Sequence, residues 1–453
     1  MKNILLLLVI SYSFELLAQN WQRIGIEGPN SPVISCIWDE DEEKLHVAGV
    51  FTKMDYDTVN GITMWDGVKW NVMGNGVTPG SGLAHLYPIS CVKFQNELYY
   101  FGRFFAVDNL PFTRGLAKWT GNNWEALSSD SLSGIINCGL VNNNALYVGG
   151  AFDISNLNIK KIAKWDGVNW SAAAPNINIG SGQHVYSLAF YKNKLFAGGQ
   201  FDLDEYDDLA VFDGNQWTDV GGSLKGSGWV NSMVVYKDYL YVAGQFRKSA
   251  GNAGNLIMRW DGENWEGVGV EMENAEVVNS NIIELSIIDD KLFAVGQFNN
   301  LGGSSGQNIA YYDGENWCGF NTKFPNGVIN SVSKFKNSIA IGGNFIKIEE
   351  KPIRFLAEWI GGDYLNTCGN TLGFENDLKQ TEILIFPNPV AETLTVKTND
   401  QQFLYKIYDS TGRLIKSEKK SDNQINVQSL KPGFYFLSIE SESTNITQKF
   451  IKE

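Results

Sequence analysis

The run Leu146-Tyr147-Val148-Gly149-Gly150-Ala151-Phe152 is followed by Trp165-Asp166-Gly167-Val168-Asn169-Trp170. Together they form one copy of a unit of about 49 residues that recurs about seven times before roughly residue 370. Each copy closes an apolar run with Gly-x-Phe: Gly49 and Phe51, Gly102 and Phe104, Gly150 and Phe152, Gly199 and Phe201, Gly244 and Phe246, Gly296 and Phe298, Gly343 and Phe345. An aromatic-Asp-Gly-x-x-Trp element comes next, at Trp65 to Trp70, Trp165 to Trp170, Phe212 to Trp217, Trp260 to Trp265 and Tyr312 to Trp317. Two copies depart from it: Trp119-Thr120-Gly121 to Trp124 lacks the Asp, and Trp359-Ile360-Gly361 to Tyr364 lacks both the Asp and the second Trp.

An Asp-Gly pair between short β-prone runs predicts a tight hairpin, because glycine accepts positive φ freely and aspartate better than most residues. With a loop of two or four residues, side-chain alternation puts the flanking aromatics on one face as a cross-strand pair. Upstream, runs such as Ile34 to Ile37, Ile89 to Val92, Val185 to Leu188 and Val230 to Met233 supply one strand, and the Gly-x-Phe run supplies the next. Each unit thus holds about four strands, with no amphipathic helix. A lone four-stranded sheet cannot bury both faces, so the units must stack, and radial stacking makes a β-propeller. The expected fold class is all-β, a propeller of about seven four-stranded blades, with six or eight open, followed by a small C-terminal β-sandwich. Asn20 to Gly25 looks like the last strand of a unit and is expected to help close the ring, although the final unit carries a degenerate closing strand of its own.

Of the 14 tryptophans, all but Trp38 and Trp229 fall in the repeated slots or in the early Trp21 strand. Packing is the simpler reading of a residue demanded in every blade, and a sugar-binding platform is the sharper one. A net charge of -14 argues against nucleic acid, which needs a basic groove. Acidic loops at Asp39 to Glu43 and at Asp202, Asp204, Asp207 and Asp208 offer oxygen ligands for calcium, but without EF-hand spacing they read as solvated loops. Cys36, Cys91 and Cys138 occupy one strand position of the first three units and read as small buried apolar groups. Cys318 and Cys368 would pair if the last two units approach within bridging distance. No zinc-type spacing occurs.

Met1-Lys2-Asn3, the apolar Ile4 to Ile10 and a small Ala18 before Gln19 predict a signal peptide over 1–18, cleaved after Ala18. The following Gln19 is not a lipidated cysteine, and no later run of about 18 apolar residues predicts a transmembrane anchor. The propeller is expected over 19–369, a polar linker over 370–382, and a separate domain over 383–453. That last segment holds short alternating strands punctuated by Pro387-Asn388-Pro389, Tyr408-Asp409 to Gly412-Arg413, Leu430 to Gly433 and Tyr435, and Lys449-Phe450-Ile451-Lys452. In this order the motifs resemble the type A C-terminal sorting domain of the type IX secretion system. The resemblance implies a Bacteroidetes origin, recognition by the type IX machinery, and release or attachment at the cell surface.

The repeats resemble kelch or galactose-oxidase-like propellers, which implies a fold without an activity. His46, His85 and His184 lie in different units, and His46 holds a slot filled elsewhere by Tyr or Phe, so it reads as a packed aromatic. The pair of histidines that copper-oxidase chemistry needs is not offered by any one unit. Asp66, Asp166, Asp213, Asp261 and Asp313 are explained by hairpin geometry. No catalytic, cofactor or metal residue is assigned. The expected protein is a secreted or surface binding module for an extracellular glycan or protein, with its ligand held by loops around the axis. The alternative is a polysaccharide hydrolase or lyase with carboxylates on those loops.

Overall fold

The computed structural model describes residues 20–78, 87–128, 132–177, 179–180, 182–201, 207–222, 224–268, 280–299, 301–302, 307–320, 322, 324, 327–362, 364, 384–397, 402–409, 413–440 and 445–453. The chain forms two compact units, 1–369 and 370–453. Among the described residues of the first, seven four-stranded antiparallel sheets follow one another along the chain. In each, an inner strand such as Val33–Asp39 or His184–Tyr191 pairs with the Gly-x-Phe strand, which pairs with the strand before the Asp-Gly turn. Each inner strand packs beside the next, and Ile329–Phe335 of the seventh sheet packs beside Val33–Asp39 of the first. The ring is a closed seven-bladed propeller.

Closure comes from the N-terminal side. Trp21–Gln22 is the outer strand of the seventh blade, with Trp21 opposite Trp359, and the Ile360 amide donates to the Asn20 carbonyl. The degenerate segment after Trp359 therefore does not supply that strand. Tyr364 is buried instead against Phe293 of the sixth blade, because a tyrosine after a turn without aspartate is outcompeted by a tryptophan matching the other six blades.

In every blade the aromatic before the turn meets a tryptophan across the strand pair. The centroid separations are 5.2 Å for Trp65 and Trp70, 5.0 Å for Trp119 and Trp124, 5.1 Å for Trp165 and Trp170, and 5.8 Å for Phe212 and Trp217. Trp260 and Trp265, Tyr312 and Trp317, and Trp21 and Trp359 lie at 5.0, 5.3 and 5.1 Å. Such tilted pairs contribute about 0.5–1.5 kcal/mol each beyond area burial. The turn between them holds four residues: the Asp66 amide donates to the Lys69 carbonyl, and Asp66 Oδ1 accepts from the Val68 and Lys69 amides at 2.9 Å. Gly67 sits at φ +95°, where a side chain would be strained. Bonds from the Lys69 amide, the Asn71 side chain and the Val68 amide pull the Asp66 carboxyl down to about 2. Where the second blade has Thr120, its hydroxyl accepts from the Asn123 amide at 3.3 Å.

The outer tryptophans also join neighbouring blades. Indole N–H groups of Trp124, Trp217, Trp265 and Trp317 donate to the carbonyls of Met73, Pro175, Val220 and Val268 in the preceding blade, at 2.8 to 3.1 Å. Trp21 does the same to Thr322 Oγ1 at 3.1 Å. All seven Gly-x-Phe phenylalanines are buried. The glycine has a separate cause: every inner strand carries a β-bulge there, and a Cβ at Gly150 or Gly199 would fall on the carbonyl oxygen of Ile135 or His184.

The register shifts one expected equivalence. Cys36 lies opposite Val47, two residues before Gly49, but Cys138 lies opposite Gly149, one residue before Gly150. Cys138 therefore shares the slot of Ser35 and Ser90 and is half-buried, whereas Cys36 and Cys91 are buried, and all three are free thiols. Cys318 is disulfide-bonded; its expected partner Cys368 lies outside the described residues.

The second unit packs two antiparallel sheets, one of strands Leu384–Phe386, Thr393–Lys397 and Gln424–Asn426 and one of Leu414–Lys420, Phe403–Asp409, Gly433–Glu440 and Asn445–Lys452. Between them lies a core that includes Val390, Leu394, Tyr405, Ile407, Leu437 and Phe450. No helix among the described residues is long and apolar enough to cross a membrane.

Replacing Trp21 by Ala empties a fully buried site and removes the closing aromatic pair. It should cost about 3–5 kcal/mol in chemical denaturation, whereas Val68→Ala on an exposed turn should change stability by less than about 0.5 kcal/mol.

Candidate functional site

The inner strands line an axial channel of about 530 Å³. Its wall is a repeated belt of hydroxyls at the position after each bulge: Ser35, Ser90, Ser187, Ser232 and Ser331, with Cys138 in the third blade and Glu284 in the sixth. Most of these hydroxyls join their blade to a neighbour, Ser35 through the Ser90 hydroxyl at 3.0 Å. Ser187 Oγ accepts from the Met233 amide at 2.9 Å, Ser232 Oγ from Leu285 at 3.0 Å and Ser331 Oγ from Cys36 at 3.2 Å. Asn137, Asn231 and Asn330, at the bulge itself, donate to the carbonyls of Val185, Ile282 and Val33 in the following blade at 2.8 to 2.9 Å.

Glu284 occupies a serine position in this belt. It bonds to Ser331 and to the Val332 amide, but enclosure by the ring dominates and pushes its carboxyl up to about 8. At neutral pH it is a neutral acid able to donate a hydrogen bond, and it reads as a substitute for the missing hydroxyl. Sequence reasoning overlooked it. The signal was present in the alignment of Ile34-Ser35-Cys36, Tyr186-Ser187-Leu188 and Asn231-Ser232-Met233 with Ile283-Glu284-Leu285.

At the channel's rim, the variable residue of Gly-x-Phe stands beside the inner-strand residue two positions before the bulged one. The pairs are Ile135 with Ala151, His184 with Gln200, Trp229 with Gln245 and Asn281 with Gln297. Arg103 holds this position in the second blade. The constant Gly and Phe thus aim a variable pair at the mouth.

Between the fourth and fifth blades the rim opens into a cleft of about 690 Å³, lined among others by Gln183, Gln200, Asp207, Trp229 and Gln245. The two tryptophans outside the repeat have separate fates. Trp38 packs edge-on against Phe335 at 5.3 Å, while the half-buried Trp229 forms cleft wall. Gln200 Oε1 accepts from the Tyr186 hydroxyl at 3.3 Å, and Tyr186 stacks on His184 at 5.6 Å. This supplies an aromatic face with amides and a carboxylate, the groups that grip a hydroxyl-rich ligand.

Of the calcium candidates, Asp202 and Asp204 lie outside the described residues. Asp208 is buried and accepts from the Phe201 amide at 2.8 Å, which ties the loop to its own strand; Asp207 borders the cleft. His46 is buried with Nδ1 2.7 Å from the Tyr100 hydroxyl, and burial lowers its pKa to about 4, so it is a neutral packed ring. His85 lies outside the described residues.

In the second unit the expected motif residues make local locks. Asn388 Oδ1 accepts from the Ile451 amide at 2.9 Å and its Nδ2 donates to the Lys449 carbonyl at 3.2 Å, between Pro387 and Pro389. Asp409 accepts from the Arg413 amide and from its Nε, each at 3.1 Å, across the turn whose Gly412 lies outside the described residues. Tyr408 pairs across the sheet with Phe436. The Tyr435 hydroxyl donates to the Lys431 carbonyl at 3.0 Å, two residues before Gly433, and its ring stacks on Phe450 at 5.6 Å. Lys449 Nζ lies 4.2 Å from the Phe434 ring centre. Residues 384–453 match the family model described as the secretion system C-terminal sorting domain. These residues are a type IX sorting domain. The sorting domain marks the protein as secreted or displayed at the cell surface by type IX secretion, and implies an interaction with that machinery.

No curated protein matches the chain. Among solved structures it is similar to the extracellular domain of a hybrid two-component system from B. thetaiotaomicron, at 12% identity and a TM-score of 0.49, over 96% of this chain and 57% of that one. It is also similar to PorZ, a surface component of the type IX secretion system of Porphyromonas gingivalis, at 11% identity and 0.37, over 93% of this chain and 66% of that one. Raptor of Chaetomium thermophilum is a third, at 13% identity and 0.41, over 75% of this chain and 28% of that one. The chain spans little more than half the length of the first of these structures.

Because the folded-state pKa of Glu284 lies above its ordinary value of 4.5, the folded protein retains a proton that the unfolded chain loses. Its contribution to stability therefore falls as pH rises from about 4.5 to about 8 and then levels off. Glu284→Gln should gain in melting temperature over the parent across that window, with the largest gain near pH 8, as followed by thermal denaturation at pH 5, 6.5 and 8.

Proposed function

We propose that this protein is an exported carbohydrate-binding propeller whose ligand sits in the cleft between the fourth and fifth blades. The observation that carries the proposal is Trp229, a large aromatic in the cleft wall rather than in a packing pair. An aromatic face suits the apolar C–H face of a sugar ring, and Gln183, Gln200, Gln245 and Asp207 supply the in-plane hydrogen bonds its hydroxyls need. The export signals agree with a ligand met outside the cell. The segment Met1 to Ala18 serves as the signal peptide, and the sorting domain is then read at the outer membrane.

An extracellular hydrolase or lyase is the second reading, supported by Asp207 in the cleft wall. It requires an acid and base pair to flank the bond being cut.

On an array of extracellular polysaccharide fragments the full chain should retain a defined subset, and Trp229→Ala should weaken binding by about tenfold or more with an unchanged melting temperature. Absence of binding to every carbohydrate on a broad array would overturn the proposal. Turnover of a bound fragment, abolished by Asp207→Asn, would move the assignment to the hydrolase.

A further inference from the structure

Next to the cleft, across His184, lies a second pocket of about 290 Å³ whose lining includes Arg103, Phe105, Arg114, Gly134 and His184. It draws on three consecutive blades: Arg103 at the end of the Gly-x-Phe strand of the second, Arg114 on the loop that follows, Gly134 on the third and His184 on the fourth. The Arg114 guanidinium stands 4.8 Å from the ring centre of Phe105, which orients its plane. Among the described residues, neither Arg103 nor Arg114 forms an ion pair with a carboxylate. Their neighbour Lys161 donates from Nζ to the Gln183 carbonyl at 3.0 Å, and Asp153 is the acid whose charge it feels.

This grouping of cations is out of character with the rest of the chain. The protein carries a net charge of -14, and some cations elsewhere on the ring are paired with acids, as Lys93 is with Asp39 and Asp41 and Lys118 with Glu97 and Glu125. Two guanidiniums in one concavity, without carboxylate partners among the described residues, have a planar fork geometry suited to an oxyanion. The imidazole at the shared wall senses the same field: burial and then the charges of Lys161 and Arg103 lower the His184 pKa.

We propose that this pocket is an anion subsite that selects acidic carbohydrate, with Arg103 and Arg114 holding the carboxylate of a uronic acid residue or a sulfate ester while a neighbouring sugar stacks on Trp229. The inference rests on the carbohydrate reading of the adjacent cleft. His184 and Gln183 are consecutive and wall the two cavities from either side, so one chain of sugars can cross from one to the other. A protein of strongly negative charge repels an acidic polymer at long range, and a local cationic pocket gives it register.

The test compares three probes on the full chain by calorimetry: oligogalacturonate, its methyl ester of equal length, and a sulfated galactan fragment. Polyglutamate of similar charge serves as a non-carbohydrate control. The proposal expects at least one acidic oligosaccharide to bind tenfold or more tighter than the methyl ester. It also expects that preference to vanish in Arg103→Gln and Arg114→Gln, and to be partly retained in the charge-conserving Arg114→Lys. In parallel, NMR titration of His184 in the folded protein should show its pKa rise when the acidic oligosaccharide or free galacturonate is added, and no rise in the Arg103→Gln/Arg114→Gln protein. Equal affinity for the acid and its methyl ester, or an unmoved His184, overturns the anion subsite and leaves the carbohydrate reading standing. A His184 shift with inorganic sulfate, without binding of galacturonate or of any oligosaccharide, keeps the anion subsite and overturns the carbohydrate reading. Polyglutamate binding as tightly as the oligosaccharides overturns the selection of carbohydrate in favour of an acidic protein partner.

Discussion

The fold depends on a cross-strand aromatic pair present in all seven blades, closed across a four-residue turn in six of them and by Trp21 in the seventh. Each pair buries two large rings against one another, the turn carboxylate or hydroxyl fixes the hairpin that brings them together, and several outer indoles donate into the preceding blade. Packing within a blade and registration between blades thus share one residue. A single blade has no partner for that indole, so the unit is stable only as part of a ring, and the ring must close. Trp21 supplies the closing copy from the N-terminal side, far from Trp359 in sequence and opposite it in space.

Around the axis a second repeated device does similar work with smaller groups. A bulge in each inner strand presents an Asn, an isoleucine or Tyr186 at the channel, and in several blades the next residue accepts an amide bond from the neighbouring blade. Rigid registration of seven blades at the axis holds the rim, where the inner strand begins and the Gly-x-Phe strand ends. Side chains there can differ from blade to blade because nothing in the packing depends on them. Small and apolar at Ile135 and Ala151, the rim becomes amide-rich and aromatic at His184, Gln200, Trp229 and Gln245, and cationic at Arg103.

Much of this was legible in the sequence, and the reasons are physical. Gly, Asp and Trp at fixed offsets report backbone conformations and ring volumes that few other residues provide, so the hairpins, the cross-strand pairs and Trp21 as ring closure could be read from one chain. Trp229 was visible as a tryptophan outside every slot. The bulge was not legible, because an inserted residue leaves no composition signal, and the one-residue offset between Cys36 and Cys138 shows only in the strand register. The rim was hidden as well: only the register shows that His184 faces Gln200. Arg114 joins Arg103 through a loop whose path no local pattern encodes.

The repeated residues are scaffold, and under the proposed function the unrepeated rim residues meet the ligand. Hydrogen exchange of the full chain, measured with and without a bound oligosaccharide, tests this most directly. Protection gained in the segments around Gln183 and His184, Gln200, Gly226 to Trp229 and Gln245, with the Asp-Gly turns from Asp66 to Asp313 unchanged, is the predicted result. Protection centred on those turns, or spread evenly over all seven blades, would contradict it.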